Sequence, residues 1–186
     1  MDKLLTEMSK FLSYVLRHEP QAIGLVLDSE GWGTIADLLA GARQTGRVLD
    51  EALIKRVVEG NNKQRFAISA DGLRIRAVQG HSAASVAMAY PEQIPPEWLF
   101  HGTATRFLPS ILAQGLLPGQ RHHVHLSSDV ATATAVGQRH GQPVVLRIAA
   151  LAMHQQGFKF WLAENGVWLS GPIPPMFLAA VSEGKG

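Results

Sequence analysis

The chain has 186 residues, a formal net charge of +2, 46% hydrophobic and 17% charged residues, and no cysteine. That is enough apolar material for one domain or two small ones, and it excludes disulfides, thiolate-bound metals and a generally basic nucleic-acid coat. Met1 to Glu7 lack the basic-then-apolar layout of a signal peptide and no apolar run reaches membrane-spanning length, so the expectation is a soluble cytoplasmic protein.

Residues 4–17 set Leu4, Leu5, Met8, Phe11, Leu12, Val15 and Leu16 at helical spacing, with Lys3, Glu7 and Lys10 off the stripe. Arg17-His18 ends this helix, and Pro20 stops it because its ring blocks continuation. Gly31-Trp32-Gly33 reads as a turn, after which Thr34 caps a second helix over Ile35, Leu38 and Leu39. A third helix is expected from Asp50 to Glu59, burying Leu53, Ile54, Val57 and Val58 and ending at Gly60-Asn61. Arg65 to Ile68 and Leu73 to Ala77 are short strands, and the Asp71-Gly72 pair between them is a hairpin signal. Three helices followed by a hairpin is the order of a winged helix.

The stretch from Tyr90 to Glu97 is proline-rich and suits an extended linker, which sets domains at residues 1–90 and 98–186 with 91–97 between them. Beyond it, Trp98 to Phe100 reads as a strand, Phe107 to Ala113 as a helix ended by Gly115, and Val124 to Ser127 as a strand. Ser128-Asp129 caps a helix over Val130 to Arg139, Val144 to Ile148 is a β-branched strand, and Phe158 to Leu162 with Gly166 to Leu169 suggest a final hairpin. The fold class is therefore α+β.

An arginine and an imidazole side by side, as in Arg17-His18, offer a phosphate clamp beside a proton carrier, yet cations at helix C-termini are common for dipole reasons alone. Arg65 is equally compatible with an ordinary charge opening a strand. His101-Gly102-Thr103 follows a strand and reads as a junction where glycine lets the backbone approach a ligand. Of the eight histidines, four lie between His122 and His140. His123 and His125 share a strand face, which fits a ligand pocket, a metal or a solvated face; no carboxylate set accompanies them to close a metal shell. Arg74 and Arg76 alternate with Leu73 and Ile75 and so share a face suited either to an RNA backbone or to water, with Arg139 and His140 as candidates for the same basic surface.

The ordered strings Leu16-Arg17-His18-Glu19-Pro20, Lys63-Gln64-Arg65-Phe66, Ile75-Arg76-Ala77-Val78-Gln79-Gly80-His81-Ser82, Leu99-Phe100-His101-Gly102-Thr103, His123-Val124-His125-Leu126-Ser127 and Asn165-Gly166-Val167-Trp168-Leu169 together resemble the RNA 2′-phosphotransferase family, the tRNA 2′-phosphotransferases. The resemblance runs through nearly the whole chain. It implies an N-terminal winged-helix lobe that binds RNA, followed by a C-terminal ADP-ribosyltransferase-like mixed β lobe that binds NAD. It also implies an activity: removal of an internal 2′-phosphate from RNA, with NAD consumed as co-substrate, no metal, and ADP-ribose cyclic phosphate and nicotinamide released. The family's catalytic set falls on Arg17, His18, Arg65 and Arg121. Its NAD-holding positions fall on His101, Gly102, Thr103, His123, His125 and Ser127, with Asn165 and Gly166 in the last string. Two other functions stay open on the sequence: an ADP-ribosyltransferase acting on protein or on a nucleic-acid terminal phosphate, for which Glu164 offers an acceptor-orienting carboxylate, and a winged-helix regulator without turnover.

Overall fold

In the computed structural model, which describes residues 3–60 and 64–181, the apolar stripe of the first helix is buried from Met8 onward, while Leu5 is half-buried and Leu4 exposed. Helix α1 spans Lys3–Arg17, and Leu12, Val15 and Leu16 are fully enclosed. A 3-10 turn over Pro20–Ile23 follows, then strand β1 (Gly33–Thr34), α2 (Ile35–Gln44) and α3 (Glu51–Glu59). The predicted Thr34 cap is in place, its Oγ1 accepting from the Asp37 N–H at 3.0 Å, while Asp50, expected as the first residue of the third helix, caps it instead, its Oδ1 accepting from the Leu53 N–H at 2.7 Å. Each satisfies one of the donors that a helix start leaves without an internal partner. Asn61 lies outside the described residues, so only Gly60 of the expected terminator is seen, at the C-cap of α3.

Strands β2 (Phe66–Ile68) and β3 (Arg74–Ala77) form the hairpin around Asp71-Gly72, and β1 pairs on the other edge of β3, giving the order β1-β3-β2. The two residues of β1 were too few to register as a strand in the sequence. Leu38, Ile54 and Ile75, from α2, α3 and β3, meet the α1 stripe in one core. Burying a side chain of that size stabilises by roughly 1.5–3 kcal/mol. These elements lie in a first unit, Met1–Ala89.

The second unit, Tyr90–Gly186, holds two three-stranded antiparallel sheets. One is ordered β4-β6-β9, from Leu99–Ala104, Pro143–Ile148 and Leu178–Ala180; the other is β5-β8-β7, from Val124–Leu126, Trp168–Ser170 and Phe160–Leu162. Helices α4 (Leu108–Gln114), α5 (Val130–Gly137) and α6 (Ala150–Gln155) connect them. The sheets are joined where Phe100 and Ser127 exchange backbone hydrogen bonds, each 2.8 Å long. The core gathers Leu99, Leu126, Leu146, Ile148, Met153 and Phe160. Among the described residues no helix is long and apolar enough to cross a membrane.

Three details differ from the sequence reading. Residues 91–93 run beside β7, with the Gln93 N–H donating to the Phe160 carbonyl at 2.9 Å and Lys159 Nζ 3.0 Å from the Glu92 carboxylate, so this stretch is part of the second unit. The helix after Asp129 ends at Gly137, and Gln138–His140 tighten into a 3-10 turn. His101-Gly102-Thr103 is the middle of β4, paired with Leu146, Val145 and Val144, and not a junction at its end.

Candidate functional site

In the first unit, the end of α1, the start of β2 and the segment after β3 converge. The Arg17 carbonyl, one of the last in its helix, accepts hydrogen bonds from the N–H groups of Ser82 and Ala83 at 2.9 and 3.1 Å. The Arg17 side chain is buried, at 8% exposure, and its guanidinium carbon lies 6.0 Å from the centre of the Phe66 ring. Next to Phe66, the Arg65 carbonyl accepts from the Val78 N–H at 3.0 Å, extending the β2-β3 ladder by one residue. His18 Nδ1 stands 2.8 Å from the Ser82 hydroxyl. The fold thus brings Arg17-His18, Arg65-Phe66 and Ser82 to one end of this unit, although they lie far apart in sequence. Gln64, just before Arg65, has φ of 41°, a left-handed conformation that costs a non-glycine residue roughly 1–2 kcal/mol.

The β2-β3 hairpin is built differently from a simple basic face. Arg74 and Arg76 both stack on Trp32, with guanidinium carbons 5.4 and 4.6 Å from its ring. Arg76 is 12% exposed and lies 3.7 Å from the Glu30 carboxylate, whereas Arg74 is exposed. Trp32 was read only as part of a turn; its aromatic face is what organises the two cations.

In the second unit, alternation along β4 sorts the string His101-Gly102-Thr103. A Cβ built on Gly102 would stand 1.6 Å from the Ala133 carbonyl oxygen of α5, so the glycine lets the helix lie directly on the strand. His101 and Thr103 point to the opposite face. Thr103 is buried at 6% exposure. His101 Nδ1 lies 3.0 Å from the His125 carbonyl, which can only accept, so Nδ1 carries the proton and Nε2 presents a lone pair. Burial pushes the His101 pKa down, which keeps the ring neutral.

His125 projects from β5 on the side away from Val124 and Leu126. Its Nδ1 accepts from Arg121 Nη1 at 2.6 Å, so Nε2 holds the proton in this ring. Desolvation lowers the Arg121 pKa, though a guanidinium keeps its charge throughout the physiological range. His123 precedes the strand; its ring meets Tyr90 and Trp161 edge-on, at 5.8 and 5.1 Å, and burial lowers its pKa. Ser127 commits both backbone groups to Phe100, leaving its hydroxyl for other partners.

Asn165 and Gly166 form the β7-β8 turn, beyond the Leu126–Trp168 pair and so at the Ser127 end of β5. Gly166 has φ of 76°, which a side chain rarely tolerates. Glu164 is exposed in the same turn, and Arg139 and His140 are exposed in the 3-10 turn after α5. Among the described residues no group of three or more histidine, aspartate or glutamate side chains converges as a metal ion requires.

Sequence reasoning missed Ser82, Trp32, Tyr90 and Trp161. Ser82 had a signal, since it closes one of the shared strings; the three aromatic residues had none, because cross-strand and cross-turn neighbours depend on register.

The sequence matches the profile of the RNA 2′-phosphotransferase, Tpt1 / KptA family over residues 3–171, a span that contains every candidate site residue named above. It is 60% identical over 179 residues to a protein of Pseudomonas fluorescens, covering 96% of this chain and 98% of that one. It is 61% identical over 176 residues to one of Pseudomonas aeruginosa, covering 95% and 97%. With one of Escherichia coli it shares 55% identity over 177 residues, covering 95% and 96%. All three carry the description "Probable RNA 2'-phosphotransferase".

Proposed function

This chain belongs to the RNA 2′-phosphotransferase, Tpt1 / KptA family, and from that premise we propose that it is a cytoplasmic, NAD-consuming enzyme that removes the internal 2′-phosphate of a tRNA splice junction. NAD, when bound, supplies the ADP-ribose that accepts the phosphate, so that nicotinamide, ADP-ribose cyclic phosphate and RNA with a free 2′-hydroxyl are the products. In this reading residues 1–90 are a winged-helix RNA-binding lobe, 91–97 a connection, and 98–186 an ADP-ribosyltransferase-like lobe that holds NAD.

The donor set of the second unit suits such a ligand. A neutral His101 offers Nε2 as an acceptor for a ribose hydroxyl, while Ser127 and Asn165 offer polar groups around the end of β5. Thr103, Gly102, His123, His125 and Gly166 shape and support that surface, with His125 tied to Arg121.

The observation that supports the proposal most is the meeting of the end of α1 with the start of β2 and with Ser82: His18 contacts the Ser82 hydroxyl, and Arg17 lies over Phe66, the neighbour of Arg65. Arg17, Arg65 and Arg121 bind phosphoryl oxygens, where a planar guanidinium holds developing charge in fixed directions. His18 carries the proton between the attacking and leaving hydroxyls, a task suited to an imidazole, whose ring nitrogens both accept and give protons. Arg74, backed by Trp32, and Arg139 with His140 meet the sugar-phosphate backbone, while Arg76 braces the wing.

Incubating the protein with NAD and a 2′-phosphorylated oligonucleotide, and following nicotinamide, cyclic phosphate and RNA phosphate together, tests this. All three should change in equal amounts. Stable ADP-ribose on RNA or protein with no cyclic phosphate supports the alternative transferase, with Glu164 as its carboxylate; duplex-DNA binding without turnover supports a regulator.

A further inference from the structure

After β3 the chain returns to the end of α1, and there Ser82 contacts two consecutive residues. Its N–H donates to the Arg17 carbonyl at 2.9 Å, and its hydroxyl stands 2.8 Å from His18 Nδ1. The backbone bond, together with the one from Ala83, satisfies a helix-end carbonyl and would be made by any residue at this position. The hydroxyl bond is specific to the side chain. An imidazole has two ring nitrogens, and engaging one fixes both the ring plane and the direction of the other.

We propose that Ser82 is a positioning residue for His18, holding Nδ1 so that Nε2 is the atom that gives and takes the proton during phosphate transfer. The inference rests on the reading of His18 as the proton carrier. A hydroxyl oxygen suits this work because it accepts from Nδ1–H in the neutral ring and in the imidazolium alike. With Nε2 as the exchanging atom, Nδ1 keeps its proton throughout: Nδ1–H donates to the serine oxygen both when Nε2 is bare and when the ring is an imidazolium. The contact therefore survives the whole proton cycle, and the ring keeps its orientation while its charge changes. A backbone N–H at the same place would oppose the imidazolium, and a carboxylate would favour it.

Ser82→Ala keeps both backbone bonds and removes only the hydroxyl, so the variant isolates this contact. Turnover should fall about ten-fold with KM for the RNA changed less than about two-fold, the effect of a catalytic group left free to rotate. Ser82→Thr, which keeps the hydroxyl, should recover about half or more of wild-type turnover, and adding Ser82→Ala to His18→Ala should cost no further activity. Independently of activity, the ¹⁵N resonances of the His18 ring should report one dominant tautomer in the wild type and a mixture in Ser82→Ala.

Wild-type turnover and an unchanged ring spectrum in Ser82→Ala, with His18→Ala impaired, overturns the proposal alone. The same loss in the presence and absence of His18, or failure of Ser82→Thr to rescue, also overturns it. Full activity in His18→Ala overturns the reading of His18 itself and the proposal with it. Should Ser82→Ala fail to fold, Ser82→Cys, close in size and a weaker hydrogen-bond partner, carries the same comparison.

Discussion

Arg121 donates through Nη1 to Nδ1 of His125 at 2.6 Å, so a histidine that the sequence places among cofactor contacts is, in the fold, the brace of a cation assigned to phosphate. Because arginine has no acceptor, the bond exists only while His125 Nδ1 is unprotonated. His125→Ala should lower turnover by roughly ten-fold, and His125→Gln, whose amide oxygen can accept from Arg121, should recover part of it. Steady-state kinetics of the two variants check this. Equal loss in both would mean that His125 serves the ligand directly.

Arg65 is expected to matter most when charge builds on the phosphate. In single-turnover assays Arg65→Ala should slow loss of the RNA 2′-phosphate by roughly 10²- to 10³-fold while slowing nicotinamide release far less. Equal slowing of both would give Arg65 a role in the first event as well.

Gly102 tests the packing under the candidate NAD surface. The Ala133 carbonyl occupies the place of its missing Cβ, so Gly102→Ala must lift α5 from β4, at a cost of about 3 kcal/mol or more. Gly166→Ala meets open space and pays only for its left-handed backbone, about 1–2 kcal/mol. Denaturant unfolding of the two variants should rank them in that order.

The buried histidines predict how stability follows pH. His101 and His123 both have pKa values lowered by burial from the ordinary 6.5. Below about pH 6.5 the unfolded chain therefore takes up protons before the folded one does, so stability is full above that pH and falls with acidification. Unfolding at about pH 5.5 should need less denaturant than at about pH 7.5, and His101→Asn, whose amide N–H can still meet the His125 carbonyl, should shrink the difference. A pH-independent midpoint in the wild type would contradict the assignment.

Arg74 and Arg76, equivalent by alternation, should separate in experiment. Arg74→Ala should weaken RNA binding and reduce the salt dependence by about one phosphate contact. Arg76→Ala, which removes a largely buried stack on Trp32, should cost about 1 kcal/mol of stability instead. Affinity measured across a salt series, beside melting curves, distinguishes them.

The elements that the sequence disclosed are those whose own residues decide them. The α1 stripe from Met8 to Leu16, the Thr34 cap and the Asp71-Gly72 turn are local facts, and the fold keeps them. Strand β9, Leu178–Ala180, has no alternation of its own and is a strand because β6 offers it an edge. Helix α6, Ala150–Gln155, is likewise too short to show a period. Gly102 misled by its type: a glycine after an apolar run suggests a turn, whereas here it admits a neighbouring helix. The same division holds for the site. Arg17-His18 was visible as a helix ending, but its link to Ser82 depends on where β3 delivers the chain, which no local pattern carries.

The paired backbone bonds between Phe100 and Ser127 have a consequence for how this chain can change in length. They lock the chain next to His101 and two residues beyond His125, so losing a single residue between Leu99 and Thr103 swaps faces along β4 and turns the His101 position toward α5. Around Gly119, with open space at its Cβ position, an added residue meets no such lock. Insertions and deletions are thus confined to the loop tips, and the spacing of the two histidines is held by the weld between the sheets.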